Sequence, residues 1–153
     1  MDATSRETRE AREGETTLPL DPTGEATLEL FRENEGYTEL LWSKLLALSP
    51  RACAGRVLEV GCGLGNLTRI LLRSRGVEYL HAIDMDPAYV EAVRREIPDP
   101  RLELTAALAQ DFCPLELLGP VSGFDLIVSS NVLEHIEDDA RTLENFRRML
   151  RPE

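Results

Sequence analysis

The chain has 153 residues, with 17 Lys and Arg against 28 Asp and Glu and a formal net charge of −11. That length suits one domain. The charge argues against a protein that follows nucleic-acid phosphates or docks on anionic lipid, since both need a basic surface. Cys53, Cys62 and Cys113 are odd in number and widely spaced, with no CxxC pair and no clustered histidine. No zinc site is expected, and reduced thiols fit a cytoplasmic protein.

In chain order, residues 1–24 carry no large apolar residues at a regular period and read as a disordered acidic tail. They hold no apolar core of a secretory signal. Residues 25–50 form a helical segment: Leu41, Leu45 and Leu48 recur at helical spacing with Leu30, Tyr37 and Trp42, and Gly36 is a candidate break. No apolar run approaches the roughly 18 residues of a membrane span. Residues 51–153 change pattern. "RVLEV" is a short apolar strand that ends at glycines. Helix Leu67–Arg75 follows, with Gly76 as its C-cap. "EYLHAID" is a second strand. Asp86 and Pro87 open helix Ala88–Ile97 as N-cap and first-turn residue. "RLELTAA" alternates like a third strand. "FDLIVSS", Phe124–Ser130, is a fourth, and its apolar centre suits burial on both faces. In the last helix Leu143, Phe146 and Leu150 share a face, and Pro152 ends it.

Strands that alternate with helices imply a parallel α/β sheet with right-handed crossovers. Ligands of such sheets bind beyond the carboxyl ends of the strands. That rule nominates Gly61–Gly65, Asp84, Asp111 or Gln110, and Asn131. Three glycines in five residues, Gly61, Gly63 and Gly65, let the backbone turn sharply from strand to helix and offer N–H groups to a ligand. The spacing G-x-G-x-G, with Asn66 next, departs from the nicotinamide fingerprint G-x-G-x-x-G. Glu59 beside the loop is poor company for a pyrophosphate and suits a cationic ligand with an ammonium group. Asp84, about twenty residues on, can accept two hydrogen bonds from ribose hydroxyls. Asp111 can accept from an exocyclic adenine amine. The ligand that fits is an adenosine with a charged amino-acid tail and no phosphate.

"VLEVGCGLGNLTRIL", "AIDMDPAYV", "AALAQDF" and "FDLIVSSNVLEHIEDD" resemble the successive motifs of class I S-adenosylmethionine-dependent methyltransferases, from about Arg56 to Pro152. The resemblance implies a Rossmann-like three-layer sandwich with strand order 3-2-1-4 in the part present, within the family order 3-2-1-4-5-7-6. It implies S-adenosyl-L-methionine as cofactor, with Glu59, Gly61, Cys62, Gly63 and Gly65 along its methionine part and Asp84 on its ribose. Met85 would lie against the adenine, Asp111 would accept from its amine, and Phe112 would flank the ring. Asn131 and Val132 would lie near the reacting methyl. His135 is a weak candidate for a catalytic base, with a supporting role for Glu134 and His135 preferred. His81, inside the second strand, reads as packed.

The resemblance also implies that strands after the fourth are missing, so the chain reads as the cofactor-binding half of a longer enzyme. The acceptor expected of the whole is a small molecule or a lipid- or sugar-like metabolite rather than nucleic acid. The fourth strand would then be an apolar edge prone to pair with another copy or a partner chain. Two other functions compete: a non-catalytic module that binds the cofactor or a partner, and an NAD-dependent oxidoreductase.

Overall fold

The structure is a computed structural model, and it describes residues 36, 38, 40, 42–44, 53–113 and 123–152. The acidic tail and most of the helical segment lie outside them, as do Tyr37, Leu41, Leu45 and Leu48. Gly36 is itself in helical conformation. Trp42 is half-buried against the core.

Four strands form one parallel sheet among the described residues: β1 (Gly55–Val60), β2 (Val77–Asp84), β3 (Leu102–Ala106) and β4 (Leu126–Ser129). Their order is β3-β2-β1-β4, the order expected. Among the described residues three helices connect or follow them: α1 (Asn66–Arg73), α2 (Pro87–Glu96) and α3 (Asp139–Met149). A short 3₁₀ turn, Leu133–His135, lies between β4 and α3.

Alternate residues of β1 serve opposite layers, as the pleat requires. Val57 packs with Leu67, Ile70 and Leu71 of α1. Leu58 and Val60 pack with Phe146 and Met149 of α3, and with Phe124. The two central strands are covered on both faces, which explains their near-continuous apolar runs. His81 is buried as expected. Its Nε2 lies 2.9 Å from Thr105 Oγ1 and its ring stands edge-on to Phe112 at 5.1 Å. Burial holds its pKa below the usual histidine value.

Some boundaries differ from expectation for local reasons. α1 stops at Arg73, and its C-cap is Ser74, whose N–H donates to the Leu71 carbonyl at 3.0 Å. Gly76 is not that cap. It is small because a Cβ there would lie 3.0 Å from the Cys53 carbonyl oxygen and 3.1 Å from the Ala54 Cβ. The buried face of α3 is Thr142, Asn145, Phe146 and Met149, whereas Leu143 and Leu150 are exposed. Asn145 takes its place in that face because its Nδ2 donates to the Gln110 carbonyl at 2.7 Å. The Asp86 cap is present: its carboxylate accepts from the Ala88 N–H at 2.8 Å.

β4 is an edge strand of the described sheet, but its approach is not bare. The Phe124 N–H donates to the Met149 carbonyl at 2.8 Å, and the Arg151 N–H donates to the Phe124 carbonyl at 2.9 Å. The two segments thus form a parallel bridge at Phe124 and Leu150.

Candidate functional site

The carboxyl ends of the strands open on a cleft of about 660 Å³. Its walls come from the end of β1 at Val60 and Gly61, the end of β2 at Asp84 and Met85, and the residues after β3 and β4. The sheet topology alone brings these segments together, because every strand points the same way.

The glycine loop differs from the expected N–H cradle. The N–H groups of Gly61 and Cys62 both donate to the Ile83 carbonyl, at 2.8 and 3.0 Å, and that of Gly65 donates to the Cys62 carbonyl at 2.8 Å. The Gly63 N–H donates to Asp84 Oδ2 at 2.9 Å. These donors are consumed within the fold, so the loop is not built to hold phosphate. The glycines serve the tight path instead. Gly61, Gly63 and Gly65 have φ of 82°, 49° and 81°, which side chains rarely adopt. At Gly61 the crowding is also direct, since a Cβ would lie 2.2 Å from Val132 Cγ2.

Asp84 is both lining and tether. Besides the bond from Gly63, its Oδ1 accepts from the Asp86 N–H at 3.0 Å. Met85 beside it is 71 % exposed, and Leu108 across the cleft is also exposed. Two apolar side chains left in water at one cleft offer a surface for a flat, apolar ring. Asn131 holds a left-handed conformation, φ 56°, just past β4, a geometry that Asn tolerates better than most residues. It and Val132 line the cleft, as does His135. Glu134 does not.

The remaining predicted residues fall elsewhere. Glu59, Cys62, Gly63 and Gly65 sit behind the lining rather than on it. Asp111 is off the lining, exposed, and paired with Arg141 at 3.0 Å. Gln110, its named alternative, is on the lining. Phe112 is buried against His81. Sequence reasoning missed Tyr89, Leu108 and Glu137, which line the cleft. Tyr89 had a signal: it lies three residues after the Asp86 cap, on the turn of α2 nearest the strand ends.

The electrostatics are one-sided. Asp84, Asp86 and Glu137 line the cleft, and no Lys or Arg does among the described residues. Behind the loop, Glu59 is 1 % exposed. Its Oε2 accepts from Thr68 Oγ at 2.7 Å, while Oε1 has no partner. Burial, and next the nearby Asp84, push its carboxyl up to about 8 against the lowering bond from Thr68. The Cys62 thiol is pushed up as well, by burial first and then by Glu59 and Asp84. No cluster of three or more metal-ligating side chains occurs among the described residues.

Residues 58–153 match the model of a methyltransferase domain family. The chain is 35 % identical over 98 residues to a malonyl-(acyl-carrier protein) O-methyltransferase of Halorhodospira halophila, covering 64 % of this chain and 32 % of that protein. It is 36 % identical over 110 residues to a ribosomal RNA small subunit methyltransferase A of Thiobacillus denitrificans, covering 70 % and 42 %. A crystal structure of the N-methyltransferase NodS of Bradyrhizobium japonicum with S-adenosyl-L-homocysteine aligns with a TM-score of 0.59 at 28 % identity, covering 79 % of this chain and 57 % of that one. The chain spans only about a third to two-fifths of the length of these curated relatives. The RNA-modifying relative removes the support for excluding nucleic acid on charge alone. With its parallel 3-2-1-4 sheet and its glycine loop at the first strand end, the chain belongs to the methyltransferase domain family, as a class I S-adenosylmethionine-dependent methyltransferase.

Proposed function

We propose that the cleft binds S-adenosyl-L-methionine and that the complete protein transfers its methyl group to a small-molecule acceptor. The observation that carries this reading is the pairing of a phosphate-free glycine turn with the Asp84 carboxylate on one cleft. A nucleoside with a cationic amino-acid tail matches the cleft's groups: Asp84 for the ribose hydroxyls, Met85 and Leu108 for the purine, and uncompensated negative charge for the tail. A pyrophosphate-bearing dinucleotide shares the adenosine, but its phosphates would meet loop N–H groups already spent and a lining of carboxylates, so the nicotinamide reading has no support. Nor does that of a module without catalysis, since the match is to a methyltransferase domain.

The cofactor, when bound, supplies an already electrophilic methyl on a sulfonium. The work left to the chain is alignment, which can lower a barrier by roughly 7–11 kcal/mol. Gly61, packed against Val132, fixes the floor on which the reactants are held. His135, exposed on the lining, would serve as the base for an acceptor hydroxyl or amine that has a proton to lose. A small acceptor agrees with a cleft that lacks basic lining. Two of the relatives are named for malonyl-(acyl-carrier protein) and for ribosomal RNA, so an activity assay must offer both as competitors.

The test is calorimetric titration of the folded chain with S-adenosyl-L-homocysteine and, separately, with NADH. Saturable binding of the first and none of the second is expected. The reverse pattern would overturn the reading.

A further inference from the structure

Asn145 sits on α3, yet no residue of α3 lines the cleft. It is buried, and its Nδ2 reaches a residue 35 positions back along the chain, donating to the Gln110 carbonyl at 2.7 Å. An apolar side chain here would simply extend the buried face that Phe146 and Met149 form. A buried carboxamide is costly unless its groups are paired, so the bond to Gln110 is the physical reason for an Asn at this position.

The carbonyl it holds belongs to the segment between β3 and Phe112. Ala107, Leu108, Ala109 and Gln110 of that segment all line the cleft. The segment is pinned at both ends: the Ala107 N–H donates to the Asp84 carbonyl at 2.8 Å, and Phe112 is buried beside His81. Between them the Leu108 carbonyl accepts from the N–H groups of Asp111 and Phe112, both at 3.0 Å. Those bonds close a turn but tie it to nothing outside itself. The bond from Asn145 supplies the outside tie. The Asp111–Arg141 ion pair is a second link to α3, but both side chains are more than half exposed, and such pairs contribute little. A buried hydrogen bond matters more, chiefly because its loss strands a carbonyl away from water.

We propose that Asn145 is a positioning residue for the nucleoside site. From a helix that does not touch the cleft it fixes the backbone at Gln110, and so sets the wall of residues 107–110 before any ligand arrives. The inference rests on the cofactor reading above, in which Met85 and Leu108 receive the purine. A preset wall spares the ligand the cost of ordering it. Without the bond the segment samples other positions, and only the chains with the wall in place can bind. Apparent affinity falls by that fraction, through slower association, while dissociation from the completed site is unchanged. A merely structural residue behaves differently: its loss lowers stability and leaves the affinity of the folded chain alone.

The experiment measures S-adenosyl-L-homocysteine affinity by calorimetry and its rate constants by surface plasmon resonance. The proteins are the parent, Asn145→Ala and Arg101→Ala, at a temperature where circular dichroism shows them folded. Arg101 is the control, since its guanidinium closes the end of α1 away from the cleft. Binding about tenfold weaker is expected in Asn145→Ala, carried by association, if the wall is in place in about one chain in ten. Arg101→Ala should bind as the parent does. Parent-like affinity in folded Asn145→Ala would overturn the proposal and leave the cofactor reading standing. A loss carried by faster dissociation alone, or an equal loss in Arg101→Ala, would overturn it as well. No binding to the folded parent would remove the cofactor reading and this inference together. Where Asn145→Ala does not fold, hydrogen exchange on the ligand-free parent decides. The amides of Asp111 and Phe112 should already be protected, and amides that exchange freely until ligand binds would show that the ligand, not Asn145, sets the wall.

Discussion

Gly61 and Gly63 are two residues apart, yet they answer to different constraints. A side chain at Gly61 meets Val132 at 2.2 Å, whereas one at Gly63 meets nothing within 4 Å. Both have positive φ, so each alanine carries roughly 1–2 kcal/mol of backbone cost. Gly61→Ala should therefore lose more stability, through displacement of Val132, and lose ligand binding with it. Gly63→Ala should stay folded within about 2 kcal/mol and bind S-adenosyl-L-homocysteine nearly as the parent does, because Gly63 lies off the cleft lining. Urea melts and titrations of the two variants check this, and a loss of tenfold or more, about 1.4 kcal/mol, in Gly63→Ala would bring the loop onto the ligand's surface. Asp84→Ala tests the other side of the same link. It strips a tether from two backbone N–H groups and an acceptor from the cleft. Its affinity should fall by about 1–3 kcal/mol, measured by the same titration. At this scale the sequence was most legible where chemistry and topology coincide, as at Gly61, Asp84 and Asn131. It was least legible at Asp111, where the ion pair to Arg141 comes from a helix some thirty residues on and has no local signature.

Among the elements, α1 and α3 show why helical periodicity reads imperfectly. The apolar residues Leu143 and Leu150 of "RTLENFRRML" suggested a face centred on them and Phe146. The true face is shifted toward Thr142 and Asn145, because a side-chain amide there satisfies a backbone carbonyl of a distant turn. A polar residue chosen for one hydrogen bond is indistinguishable in sequence from a polar residue chosen for water. The end of α1 is similar. It is closed by Arg101, twenty-eight residues past Arg73, whose Nη2 donates to the Leu72 carbonyl at 2.7 Å and whose Nη1 donates to that of Val77 at 3.1 Å. Asp99 holds the guanidinium in place at 2.7 Å. The cation sits at the negative end of the helix, where it is favourable. Arg101→Ala should lower stability by about 1 kcal/mol, the net value of one or two hydrogen bonds. Chemical denaturation checks this, and ligand affinity should hold, because Arg101 is off the cleft.

For the molecule as a whole, two buried titratable groups set opposite slopes of stability with pH. The folded pKa of Glu59 lies above its unfolded value of 4.5, near 8. The native state therefore binds the extra proton between those values, and stability falls as pH rises through that window. The folded pKa of His81 lies below its unfolded value of 6.5. Its contribution is present above 6.5 and is lost as pH falls. The ligand-free chain should thus be less stable at pH 8 than near pH 6.5. Urea midpoints across the range test this. The architecture was legible because strand and helix periods alternate cleanly through residues 55–106, and parallel order follows from that alternation.

The bridge between Phe124 and Leu150 makes α3 a ruler. Eleven helical residues rise about 16 Å, and the five steps from Phe124 to Ser129 span nearly the same distance at about 3.3 Å each. The helix returns the chain along β4 by one strand length and delivers the Met149 carbonyl to the Phe124 N–H. One residue added to α3 would turn that carbonyl by about 100° and carry it past its donor. The phase of pairing on the outer side of β4 is therefore set by the length of a helix rather than by the residues of the strand.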